Sequence, residues 1–99
     1  MQIKSELEKV KARLTAGWCQ GSWALNANGM AVESTSPTAC KWCLMGAIYS
    51  LGLPYMGRAI ITKRLEDLLP EELLLTEFND YQTSRDPILA LIDKAIAAC

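Results

Sequence analysis

Histidine is absent from this 99-residue chain. Its absence removes every catalytic triad or dyad built on imidazole and every metal site that needs one. It also removes the usual general base near neutral pH. An excess of charge of either sign is missing too: ten Lys and Arg stand against eleven Asp and Glu, a net charge of -1. Such a chain exerts no long-range pull on a polyanion, which argues against binding a nucleic-acid backbone. Long hydrophobic runs are lacking as well. No stretch of eighteen residues is continuously apolar, so no transmembrane helix and no membrane partner is expected. The opening residues Met1 to Glu6 hold no apolar core of a signal peptide. Four cysteines without a secretion signal point to free thiols in a reducing, cytoplasmic setting.

What is present is apolar material. Hydrophobic residues make up 51% of the chain and charged residues 21%, enough to build a core and to exclude intrinsic disorder. The length suits one domain, residues 1–99, with a thin margin of stability. Gln2 to Ala16 reads as an amphipathic helix. Ile3, Leu7, Val10 and Leu14 share one face, Glu8 and Lys11 are spaced for a weak surface pair, and Gly17 supplies a stop. From Trp18 to Ser36 the helical period fails. Asn28-Gly29 is a turn signal between Ser22–Leu25 and Met30–Glu33, which fits a short hairpin or an irregular loop. A loop of this length in so small a domain is often functional, and this one carries Trp18 and Trp23.

Ser36 as cap and Pro37 at the first helical position predict a helix that Gly52 and Pro54 end. Over Pro37 to Leu51, Cys40, Cys43, Leu44, Ala47, Ile48 and Leu51 form one apolar face, and Trp42, Met45 and Tyr49 a second. Lys41 is the only charge, so this helix is expected to be the buried hub. Gly46 within it costs about 1 kcal/mol of helix propensity relative to alanine, which predicts close approach of another backbone. A third helix is expected over Met56 to Leu69, with Ile60, Ile61, Leu65 and Leu68 inward, and a short one over Glu71 to Phe78. Glu71 and Glu72 suit the positive end of that helix. A polar break at Asn79–Thr83 precedes a last helix with Asp86 as cap and Pro87 first. Its buried stripe is expected to be Ile88, Leu89, Ile92, Ala95, Ile96 and Cys99. The expected fold is all-α: four to five helices around a buried central helix, with a long loop or short hairpin after the first.

Several groups are candidates for chemistry. Cys40-x-x-Cys43 with Cys19 and Cys99 offers four thiolates for zinc, but isolated cysteines on a helix face are better explained by packing, so no metal or cofactor is expected. Cys43 as a nucleophile lacks a histidine base and would depend on Asp80, a weak base for a thiol. Asn79 and Asp80 either cap the neighbouring helices or face a ligand. Trp18, Gln20 and Trp23 either pack on the hub or line a binding patch. A single polar cluster of Gln20, Asn79 and Asp80 around Trp18 would account for these residues structurally. Arg58, beside Tyr55 near a helix start, is either a solvated charge or a phosphate-binding group.

These residues fall into an order. Gly17-Trp18-x-Gln20-Gly21 follows the first helix, Ala39-x-x-Trp42-Cys43-x-x-Gly46-Ala47-Ile48 lies in the hub, and Phe78-Asn79-Asp80 then Thr83 precede the last helix. The set resembles a small uncharacterised bacterial and bacteriophage family, the DUF6197-like domains. Phe78 stands where the family usually has tryptophan, and Cys19 and Cys40 lie outside the pattern while Cys43 belongs to it. The resemblance brings no activity, and its occurrence in phages and mobile elements implies an accessory protein acting on host machinery. Three expectations follow: a non-enzymatic protein that binds and modulates a host defence protein, a binder of a small ligand such as a nucleotide signal between the tryptophan loop and Arg58, or a thiol enzyme using Cys43. Candidate binding residues are Trp18, Gln20, Trp23, Arg58, Asn79 and Asp80. Self-association through leftover apolar surface on the hub and last helix is a further expectation.

Overall fold

The structure, a computed structural model, describes residues 2–70 and 73–99. Helix α1 (Ile3–Ala16) buries Leu7, Val10 and Leu14, and Ile3 packs at the margin of the core, as the spacing predicts. The surface pairs differ from the expected one. Lys9 bonds Glu6 at 3.1 Å, and Lys11 reaches Asp93 at 2.7 Å on the last helix instead of Glu8, because the two helices pack side by side. Gly17 ends α1 in extended backbone, so a left-handed turn is not what it provides. A Cβ there would overlap the Cys40 carbonyl oxygen, and glycine lets the two chains meet. Arg85 closes the same end by donating to the carbonyls of Leu14 at 3.0 Å and Thr15 at 2.9 Å.

The loop after α1 contains a two-residue strand β1 (Ala24–Leu25). It pairs antiparallel with β2 (Lys41–Trp42), Ala24 opposite Trp42. The Asn28-Gly29 turn forms: the Asn26 side chain accepts from Asn28 and Met30 N–H, both at 3.0 Å, and Gly29 takes a φ of +77°. Leu25 bridges Ala31 across that turn, yet the ladder partner of β1 is β2 and not Met30–Glu33.

The hub helix is shorter than its apolar pattern suggests. Helix α2 spans Leu44–Ser50, with Cys43 as its cap. Residues Pro37 to Trp42 are not helical. Ser36 does cap a turn there, accepting from Thr38 N–H at 3.2 Å, but the turn goes no further. Backbone groups that a helix would have used are taken by the preceding loop: Trp42 N–H donates to Gly17, Cys19 N–H donates to Trp42, and Cys40 N–H donates to Leu25. Cys40 is consequently exposed rather than on a buried stripe. What remains of the helix does hold the centre, with Leu44, Gly46, Ala47 and Ile48 buried and α1 alongside. Gly46 is there for the expected reason, since a Cβ would overlap the Trp23 carbonyl oxygen. Gly52, at φ +67°, follows the helix end.

Helix α3 (Tyr55–Glu66) follows Pro54 and buries Gly57, Ile61 and Leu65. Ile60 points outward, 39% exposed: Ile61 and Leu65 are one turn apart, and Ile60 lies about 100° away from their stripe. Helix α4 (Leu75–Tyr81) starts later than expected and continues through Asn79, Asp80 and Tyr81, where the sequence predicts a polar break. The expected start at Glu71–Glu72 lies outside the described residues. Helix α5 (Asp86–Ala97) opens with Asp86 and Pro87 in its first turn and buries Ile88, Leu91, Ile92 and Ala95. Leu91 replaces Leu89 in the stripe, Leu89 and Ile96 are half-buried, and Cys99 is exposed. The stripe of α5 packs against α1 and α3. Among the described residues the fold is five helices and one small antiparallel pair, a nearly all-α domain. No helix among them is long and apolar enough to cross a membrane.

Candidate functional site

The six candidate residues separate into two clusters. Asn79 is the centre of the first. It is the one fully buried polar residue of the core among the described residues, and all four of its side-chain bonds are made. Its Oδ1 accepts from the Trp18 indole N–H at 2.8 Å and from the Leu44 N–H at 3.0 Å. Its Nδ2 donates to the Cys19 carbonyl and to Asp80 Oδ1, both at 3.1 Å. Gln20 donates to the carbonyls of Asn79 at 2.9 Å and Gln82 at 2.6 Å, and Asp80 Oδ1 also accepts from Gly21 N–H at 3.1 Å. Asn79 therefore does not end a helix in the left-handed conformation, and Asp80 does not brace the start of α5. Together they lock the loop 18–22 and the first turn of α2 onto α4.

The bond to Leu44 explains part of this arrangement. The first N–H groups of a helix lack intrahelical acceptors. In α2, Asn79 accepts from Leu44 and the Cys43 sulfur accepts from Gly46 at 3.2 Å. Cys43 is thus a cap, and burial raises its pKa despite the opposing help of the Gly46 and Met45 N–H groups. Burial likewise pushes Cys19 up to about 11, with neighbouring Cys43 adding to the rise, and its thiol donates to Ser22 at 3.4 Å. Both thiols are held protonated near neutral pH, a poor state for a nucleophile. No group of three or more His, Cys, Asp or Glu among the described residues is placed to hold a metal ion.

The second cluster gathers Trp23 and Arg58 around Tyr49, a residue the apolar pattern places in the buried hub. The Trp23 and Tyr49 rings sit 4.7 Å apart between centroids, tilted by 44°. The Arg58 guanidinium lies over the Tyr49 ring at 4.5 Å and within 5.8 Å of Tyr55. Trp23 is 46% exposed and Tyr55 73%. Trp23, Val32, Glu33, Tyr49, Leu53 and Arg58, among others, line an open depression of about 430 Å³. Ser34 lines it too, and its Oγ is buried without a hydrogen-bond partner. The signal for Tyr49 was present in the tight Gly52-Leu53-Pro54 connection, which turns α3 back beside α2 and sets Arg58 over the end of the preceding helix.

The structure thus brings Trp18, Gln20, Asn79 and Asp80 together as a scaffold, and Trp23 and Arg58 together as an exposed face. It does not join the two tryptophans in one site. No curated protein and no solved structure matches the chain. The model of a family of unknown function covers residues 2–98, and the chain belongs to that family, DUF6197.

Proposed function

We propose that this domain is a small non-enzymatic interaction protein, encoded by a phage or mobile element, that binds and modulates a host defence protein through the face built on Trp23, Tyr49, Tyr55 and Arg58. The observation that carries the reading is the composition of that face. Tryptophan, tyrosine and arginine are the residues that dominate binding energy at protein interfaces, and here they meet on one surface with Trp23 half-exposed rather than folded into the core. Trp23 already packs against Tyr49, and Arg58 lies over the Tyr49 ring, so less side-chain entropy remains to be lost on binding.

The test is capture from host lysate by the immobilised wild type and by Trp23→Ala, read by quantitative mass spectrometry. A host protein enriched by the wild type and lost with the variant supports the reading. No reproducible enrichment, or enrichment indifferent to the variant, overturns it.

A second reading rests on Arg58. Among the described residues no carboxylate pairs with it, and the depression beside it is within the size range of small-ligand pockets. A planar anionic ligand, such as a nucleotide, would stack on Trp23 and meet the guanidinium. Native mass spectrometry against a denatured spectrum of the same sample separates the readings: mass lost on denaturation favours the ligand, and a bare chain favours the protein partner.

A further inference from the structure

The Arg58 guanidinium separates two depressions. On the side away from Trp23, α2 and α3 form a second one of about 390 Å³, lined by Met45, Tyr49, Ala59, Thr62 and Glu66 among others. Arg58, Thr62 and Glu66 recur along α3 at spacings of four residues and so follow one ridge of the helix, with Ala59 three residues before Thr62 flanking it. The order of chemistry along that ridge is a cation, a small side chain, then an anion. Lys63 beside it is already neutralised by Asp67 at 3.2 Å. Neither Arg58 nor Glu66 has an ion-pair partner in its own chain among the described residues.

A ridge with this order is complementary to itself. Laid antiparallel on a second copy about a two-fold axis at Thr62, Arg58 of one chain falls opposite Glu66 of the other, and symmetry repeats the pair. The eight-residue step from one to the other rises about 12 Å along the helix, so both pairs form at once on either side of the axis. Ala59 and Thr62 at the crossing let the helices approach to roughly 8–10 Å. Tyr55, otherwise 73% exposed, comes under cover at the end of the ridge.

We propose that α3 is the two-fold interface of a homodimer, with the second copy laying its own α3 antiparallel over the α2–α3 depression and pairing Arg58 with Glu66 across the axis. This goes beyond the host-partner reading. The dimer covers Tyr55 and Arg58 of that face and leaves its Trp23, Val32 and Leu53 side outward on each copy, so the dimer is tested by sedimentation and the host partner by the Trp23 variant.

The test is sedimentation velocity of the full chain over a rising concentration series. The wild type is expected to show a reversible monomer–dimer equilibrium. Arg58→Glu and Glu66→Arg are each expected to raise the dimer Kd roughly tenfold, because each sets like charges opposite one another twice. The double variant, which exchanges the charges, is expected to return to within a few-fold of wild type. A monomer throughout the series, a Kd indifferent to the single exchanges, or a double variant no better than the singles overturns the proposal. Should a charge variant fail to fold, Thr62→Cys with Cys40→Ser and Cys99→Ser provides the second measurement. Oxidation with diamide must link two chains at the axis, and a chain that stays monomeric on a non-reducing gel overturns the proposal equally.

Discussion

Replacing Asn79 by alanine tests the scaffold at its centre. The substitution leaves the Leu44 N–H and the Cys19 carbonyl without their partners and uncouples the Trp18 indole N–H from α4. Leu44 is fully buried, so water cannot replace the lost bond at the start of α2. Each buried polar group left unsatisfied costs about 1–3 kcal/mol. With Trp18 partly open to solvent and the carbonyl the more tolerant of the two backbone groups, the total comes to about 3–5 kcal/mol. A domain of this size has on the order of 5–15 kcal/mol in all, so the variant loses a large part of its stability. Chemical denaturation of wild type and Asn79→Ala measures the difference, and the melting temperature should fall by at least about 12 °C. Asn79→Asp refines the test. A carboxylate keeps the acceptors for Trp18 and Leu44 but loses the donors to Cys19 and Asp80, and burial beside Asp80 raises its pKa. The protonated form donates again, so relative to wild type the stability of this variant is present at acid pH and lost as pH rises through the raised pKa. A loss under about 1 kcal/mol for Asn79→Ala would refute the reasoning.

Three further outcomes follow from the packing. Gly46→Ala should gain about 1 kcal/mol on helix propensity alone. Overlap of the new Cβ with the Trp23 carbonyl oxygen reverses the sign, and denaturant melts should show a net loss of about 1–3 kcal/mol. In the native state at neutral pH, iodoacetamide should label the exposed Cys40 and Cys99 and spare the buried Cys19 and Cys43 until denaturant is added; peptide mass mapping reads the order. Folded Cys19 titrates near 11 and an unfolded thiol near 9. Below pH 9 both states keep the proton. Between 9 and 11 only the folded state does, so this contribution to stability falls as pH rises, and Cys19→Ala should flatten the fall measured by melts across that window.

Some of the fold was legible because its causes are local. The face of α1, the turn at Asn28-Gly29, the end of α2 by Gly52 and Pro87 in the first turn of α5 each depend on neighbours in sequence. Gly46 was legible by elimination, since a costly residue in a central helix has few reasons to be there other than backbone contact. The polar cluster around Trp18 was legible because a buried indole N–H must find an acceptor and few polar side chains were at hand. What misled was apolar spacing without its partner. Cys40, Cys43 and Leu44 fit a helical stripe on paper, but Gly17, Cys19 and Leu25 claim the backbone around Trp42 from some twenty residues away. Asn79 misled in the same way. Its local habit is to end helices, and the bonds that hold it inside α4 reach residues 35 to 61 positions distant. Tyr49 looked like core because a helix that is apolar nearly all round reads as buried, and only the return of α3 shows which side stays open.

Whether a partner docks on the Trp23 face or on the Asn79 scaffold is decided most directly by one comparison of two exposed residues, one from each. Gln20 belongs to the scaffold and Trp23 to the face. Capture from host lysate by wild type, Gln20→Ala and Trp23→Ala, each first shown to be folded by circular dichroism, should find the wild-type partner retained by Gln20→Ala and lost by Trp23→Ala. Loss with Gln20→Ala and retention with Trp23→Ala would contradict the assignment of the two clusters.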